Sequence, residues 1–82
     1  MDDWTAEDYD NKAQQHYKHA ARLRQEARRA EEEAKGLLAY GNQANQRYML
    51  WMSASVLREK AYRLTRTAND WLEKSMELED LQ

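Results

Sequence analysis

The sequence predicts an all-α fold, a long antiparallel helical hairpin. Three observations carry this: a seven-residue beat of small and large residues, the absence of proline, and one Gly-Asn pair near the middle. Alanine recurs at Ala6, Ala13, Ala20, Ala27 and Ala34. The second half answers with Leu50, Leu57, Leu64, Trp71 and Leu78 on one line and Ala54, Ala61, Ala68 and Ser75 on another. Heptad spacing keeps one stripe of a helix against a partner along a shared seam. Small residues on that stripe allow close approach. The abundant Ala, Glu, Arg, Leu, Lys and Gln are good helix formers, and Gly36 and Gly41 are the only glycines.

The first helix is expected over about residues 5–40. Thr5 has the character of an N-cap, with Asp8 three residues on as a variant capping box. Trp4 and Tyr9 occupy the positions of a hydrophobic staple. Asp2, Asp3, Glu7, Asp8 and Asp10 place negative charge at the positive end of the helix dipole. Gly36 weakens the helix locally, and Gly41-Asn42 is its expected stop, because both residues tolerate the left-handed conformation that ends helices. The second helix is expected over about residues 44–78, starting at Gln43 or Asn45. Glu77, Glu79 and Asp80 meet the wrong end of its dipole, which predicts fraying there.

Residue size supplies a second estimate of the turn. With Asn42 at the centre, Ala6 faces Leu78, Ala13 faces Trp71, Ala20 faces Leu64, Ala27 faces Leu57 and Ala34 faces Leu50. The alternate layers are Tyr9–Ser75, His16–Ala68, Leu23–Ala61 and Ala30–Ala54. Nearly every layer sets small against large, which fills space without voids. Charge supports this register less well: Glu26 meets Lys60, but Arg24 approaches Arg58 and Lys12 approaches Lys74.

At 82 residues the chain is a single domain, 1–82, near the size at which one core is barely sufficient. It has no cysteine, so neither disulfides nor thiolate-bound zinc can brace it, and oligomerisation is the stabiliser that remains. The acidic N-terminus lacks the apolar run of a secretory signal, and the longest apolar stretch, Tyr48 to Met52, is too short to span a bilayer. A soluble, cytoplasmic protein is the expectation. Tyr48, Trp51, Ser55, Tyr62, Leu72 and Met76, joined by Tyr17, Ala21 and Leu38, form a second stripe that two helices cannot cover. A homodimer making a four-helix bundle, or a larger helical oligomer, would cover it.

No chemistry is expected. His16 and His19 stand one turn apart, but Glu26 or Asp70 would have to complete a metal set, and no Glu-x-x-His motif is present. Ser53, Ser55 and Ser75 lack a nucleophile elbow, and no glycine-rich phosphate loop occurs. The sequence therefore predicts a protein that is not an enzyme and carries no cofactor or metal.

Two surfaces remain as candidate binding sites. The stretch near the turn is apolar nearly all round, and Leu38, Tyr40, Tyr48, Met49, Trp51 and Met52 are the expected anchors for a protein partner. Charge is also segregated: residues 1–10 hold five acids and no base, residues 73–82 hold four acids and Lys74, and the span between holds twelve bases and six acids. This basic waist suggests an alternative function, binding of nucleic acid or a nucleotide-type anion. Lys18, Arg22, Arg24, Arg63 and Arg66 would supply charge, and Tyr17 or Tyr62 would stack. A second alternative is self-assembly alone. The favoured expectation is a small regulator, inhibitor or scaffold, of the kind phages and plasmids encode.

The architecture resembles that of the Rop-type plasmid regulators, which implies two α-hairpins joined as a four-helix bundle. The secreted hairpins with a Trp-x-Gly turn differ at their motif, since the turn here reads Tyr40-Gly41-Asn42.

Overall fold

A computed structural model describes residues 4–81 of the chain. Helix α1 spans Ala6–Lys35 and helix α2 spans Ala44–Asp80, with a short 3₁₀ turn at Gly41–Gln43 before α2. No strand forms among the described residues. The two helices lie side by side as an antiparallel hairpin measuring 63 × 18 × 15 Å.

The start of α1 follows from its cap. The Asp8 amide donates to Thr5 Oγ1 at 3.2 Å, and the Thr5 amide donates back to Asp8 Oδ2 at 2.9 Å. Two amides that the helix itself cannot satisfy are thereby partnered. Trp4 closes on Tyr9 with ring centroids 5.1 Å apart, completing the staple. Asp2 and Asp3, expected to reinforce this end, lie outside the described residues.

Helix α1 ends at Lys35, short of the expected Tyr40. Gly36 is its C-cap, with φ −80° and ψ −6°. The last bonds tighten to three-residue steps, as Gly36 N–H donates to Glu33 O at 3.1 Å and Leu37 N–H to Ala34 O at 3.0 Å. The reason lies in Gly36, the first glycine that α1 meets, whose low helix propensity makes it the natural place to stop. The chain therefore leaves the helix at the weak point and crosses over residues 36–43. Among the described residues Gly41 alone takes a positive φ, 75°, and the Leu38 amide donates to Gln43 Oε1 at 2.8 Å. At the other end α2 continues through Asp80, two residues past the expected limit at Leu78.

The interior of the hairpin is built from small side chains. Ala13, Ala20, Ala27, Ala34, Ala54, Ala61 and Ala68 are essentially inaccessible, and Ser75 completes the line. Ser75 Oγ donates to the backbone carbonyl of Ala6 at 2.7 Å, so the helices approach closely enough for a two-atom side chain to reach the opposite main chain. Ala20, Leu23 and Ala61 form the central cluster, with Leu57 and Leu64 packed against it. That cluster unites two expected layers, Ala20 with Leu64 and Leu23 with Ala61. At the open end Trp71 packs edge-on against His16, with ring centroids 4.5 Å apart, and lies 6.2 Å from Trp4. These aromatic contacts hold the two ends of the chain together opposite the turn.

One consequence is unequal burial. The seam alanines are covered, whereas Leu50, Leu57, Leu64, Trp71 and Leu78 remain partly exposed, as does Ala30. A close-packed alanine seam draws the backbones together and pushes the larger side chains to its margins.

Candidate interaction surfaces

The alanine line of α2 divides its surface into two flanks. Residues three positions beyond each alanine (Leu57, Leu64, Trp71) lie on one side, and residues four beyond (Arg58, Thr65, Leu72) lie on the other. Each flank contains a distinct hollow.

The leucine flank is apolar. A hollow of about 320 Å³ is lined by Leu23 and Leu64, with His19, Lys60, Arg63 and Thr67 around them. One heptad nearer the turn, Met49, Met52, Ser53, Val56 and Leu57 line a shallower hollow of about 470 Å³. Leu57 and Leu64 belong to one stripe, so the two hollows form a continuous apolar strip along α2.

The arginine flank is polar and partly tied down. Arg24, Arg58, Tyr62, Thr65, Arg66 and Asn69 line a hollow of about 360 Å³. Arg24 Nη2 donates to Thr65 Oγ1 at 2.7 Å, and the Tyr17 hydroxyl donates to Asn69 Oδ1. Arg58 grips Glu31 in a two-pronged bond, from Nε at 2.9 Å and Nη2 at 2.5 Å. This hydrogen bond from Arg58 holds the Glu31 carboxyl below the usual carboxylate range, and Glu31 in turn raises the Arg58 guanidinium. Arg66 lies 5.9 Å from the centre of the Tyr62 ring, a cation–π distance.

The expected repulsion between Arg24 and Arg58 is thus relieved within the chain, because Arg58 turns to Glu31 and Arg24 to Thr65. Glu26 and Lys60 do not form the expected ion pair. Of the basic-waist residues, Arg24 and Arg66 converge with Tyr17 and Tyr62. Arg63 lies on the leucine flank instead, bonded to Glu59 at 2.6 Å, while Lys18 and Arg22 are exposed on α1 and line neither hollow. The waist therefore is not one belt. Different partners divide it, since Arg63 bonds Glu59 and borders the leucine hollow, whereas Arg66 lies over Tyr62 in the other.

The turn end keeps its apolar residues in solvent. Tyr40 is 71% exposed, Met49 64% and Tyr48 61%, while Leu38 and Met52 are about half exposed and Trp51 is half-buried. Met49 and Met52 join the leucine flank, whereas Tyr48 and Trp51 point toward the arginine flank. Val56 and Arg58 were not among the expected site residues. Val56 falls outside both the heptad lines and the aromatic stripe, and Arg58 read only as a repelling charge.

His16 packs on Trp71 and His19 borders the leucine hollow. Among the described residues no three of His, Cys, Asp and Glu come together in a metal-binding group. None of the helices among them is long and apolar enough to cross a membrane. No protein family, characterised protein or solved structure matches this chain. The class of protein is accordingly defined by the fold alone: an all-α helical hairpin with an alanine seam.

Proposed function

We propose that the protein is a small non-enzymatic interaction protein of the cytoplasm, a regulator, inhibitor or scaffold, that holds a protein partner with its turn end. The supporting observation is the concentration of solvent-exposed Leu38, Tyr40, Tyr48, Met49 and Met52 at one extremity of a 63 Å rod. Exposed aromatic and methionine side chains supply large contact area and adapt to irregular surfaces. A rigid two-helix stem presents them away from the rest of the chain.

Photo-crosslinking in the cells that make the protein tests this reading. A crosslinking side chain at Tyr48 yields a discrete protein adduct, and a control at Arg29 does not. The adduct disappears with Trp51→Ala and persists at raised salt. Equal adducts from both positions overturn the reading.

The arginine flank supports a second reading, binding of a phosphate-bearing ligand, because its hollow gathers Arg24 and Arg66 beside Tyr62, with Arg58 already held by Glu31. Titration with a short single-stranded oligonucleotide separates the two. Binding that weakens steeply with salt and is lost in Arg66→Ala belongs to the arginine flank.

A further inference from the structure

We propose that the leucine flank, from Val56 and Leu57 to Leu64 with Leu23 of α1, is covered by a second copy of this chain. The proposed face borders the turn-end surface at Met49 and Met52, which share a hollow with Val56 and Leu57, and Tyr40 and Tyr48 lie outside it. Its first support is the shortage of interior. Among the described residues no large side chain is fully buried, and the covered set is eight alanines with Tyr9, Leu23 and Ser75. Burying an alanine methyl releases little free energy, because hydrophobic stabilisation scales with apolar area at roughly 25 cal/mol per Å². Leu57 and Leu64, which carry such area, are only partly covered, and Val56 beside them is about half exposed.

Area supplies the second support. The chain exposes 6433 Å². A compact monomer of its 9.8 kDa mass exposes about 5,200 Å² by the usual scaling. The surplus, roughly 1,200 Å², is spread along a 63 × 18 × 15 Å rod and is of the size that each subunit of an obligate dimer buries. An occasional ligand cannot supply a contact on which the fold itself depends. A second copy is present whenever the chain is made.

The flank also has the anatomy of an interface. An apolar strip is bordered by Lys60, Arg63 and Thr67, whose polar ends can reach solvent while their stems lie along the strip. The arginine flank, by contrast, already satisfies itself through the Arg58–Glu31, Arg24–Thr65 and Tyr17–Asn69 bonds. Two leucine flanks face to face would make a four-helix bundle with the turn-end aromatics at its extremities.

The test uses the whole chain. Light scattering at micromolar concentration gives twice the 9.8 kDa monomer mass, and the melting temperature rises with protein concentration. A monomer mass, or a melting temperature independent of concentration, overturns the proposal. Because the chain contains no cysteine, single spin labels then locate the interface. A label at Thr67→Cys, on the leucine flank, shows short-range dipolar broadening between chains, and one at Ser55→Cys, a heptad before Tyr62, shows none. A dimer with such broadening at Ser55, alone or alongside Thr67, overturns the assignment of the face. Neither label touches the turn-end aromatics, so crosslinking from Tyr48 succeeds or fails independently.

Discussion

The two glycines have opposite roles, and an alanine at each distinguishes them. Gly41 has φ 75° with open space around its Cα, so Gly41→Ala strains only the backbone and costs about 1 kcal/mol. Gly36 is right-handed, and an added Cβ would meet only Glu33 O at 3.5 Å. Gly36→Ala is therefore neutral or stabilising by about 0.4–1 kcal/mol through the unfolded chain. Urea unfolding of both variants checks the contrast. Arg47 occupies the heptad place one step before Ala54, and its Nε is buried with no hydrogen-bond partner. Arg47→Met keeps the stem and removes that uncompensated group, so a gain of about 1 kcal/mol is expected in the same measurement. The Thr5 cap and Gly41 were legible in the sequence because both act within a few residues. The burial of Arg47 Nε was not, because the covering of a single atom depends on tertiary packing.

At the scale of the helices, the alanine seam determines separation and the flanks determine alignment. Ala61→Leu forces extra carbons into the closest approach, and a loss of about 1–3 kcal/mol is expected, read as a lower thermal midpoint. The Glu31–Arg58 bridge links α1 to α2 and carries a pH signature. Glu31 has a depressed value in the folded state, so its contribution is present above the ordinary carboxylate range and is lost as pH falls through the depressed value. Glu31→Gln should therefore lower the melting temperature at neutral pH, and the difference from the unsubstituted chain should vanish in strong acid. Periodicity revealed the two helices and the facing lines, since spacing of seven is independent of what lies across the seam. It did not reveal that Arg58 would choose Glu31 over conflict with Arg24. That choice depends on side-chain reach across the gap between helices.

For the whole molecule, stem and turn end should be separable. Changing Tyr40, Tyr48 and Met49 together to Ser alters only exposed side chains, so helicity by circular dichroism and the thermal midpoint should stay nearly unchanged. Crosslinking from the vicinity of Trp51 should nevertheless be lost. A fall in helicity would instead make these residues part of the structural core. The exposed turn end was legible because residues 48–52 are apolar in every direction, and one neighbouring helix cannot cover all sides of such a segment.

The sequence by itself determined the helical class, the α1 cap, the antiparallel pairing and the identity of the seam, because each rests on local propensity or on a heptad repeat. The tertiary structure decided where α1 ends, at Lys35 with residues 36–43 crossing to α2, because a glycine lowers helix propensity without by itself choosing between Gly36 and Gly41 as the stop. It also divided the basic waist, placing Arg24, Arg58 and Arg66 on one flank and Lys60 and Arg63 on the other. A count of charges along a chain has no sides. The alanine seam gives the hairpin two, and with them a leucine face and an arginine face.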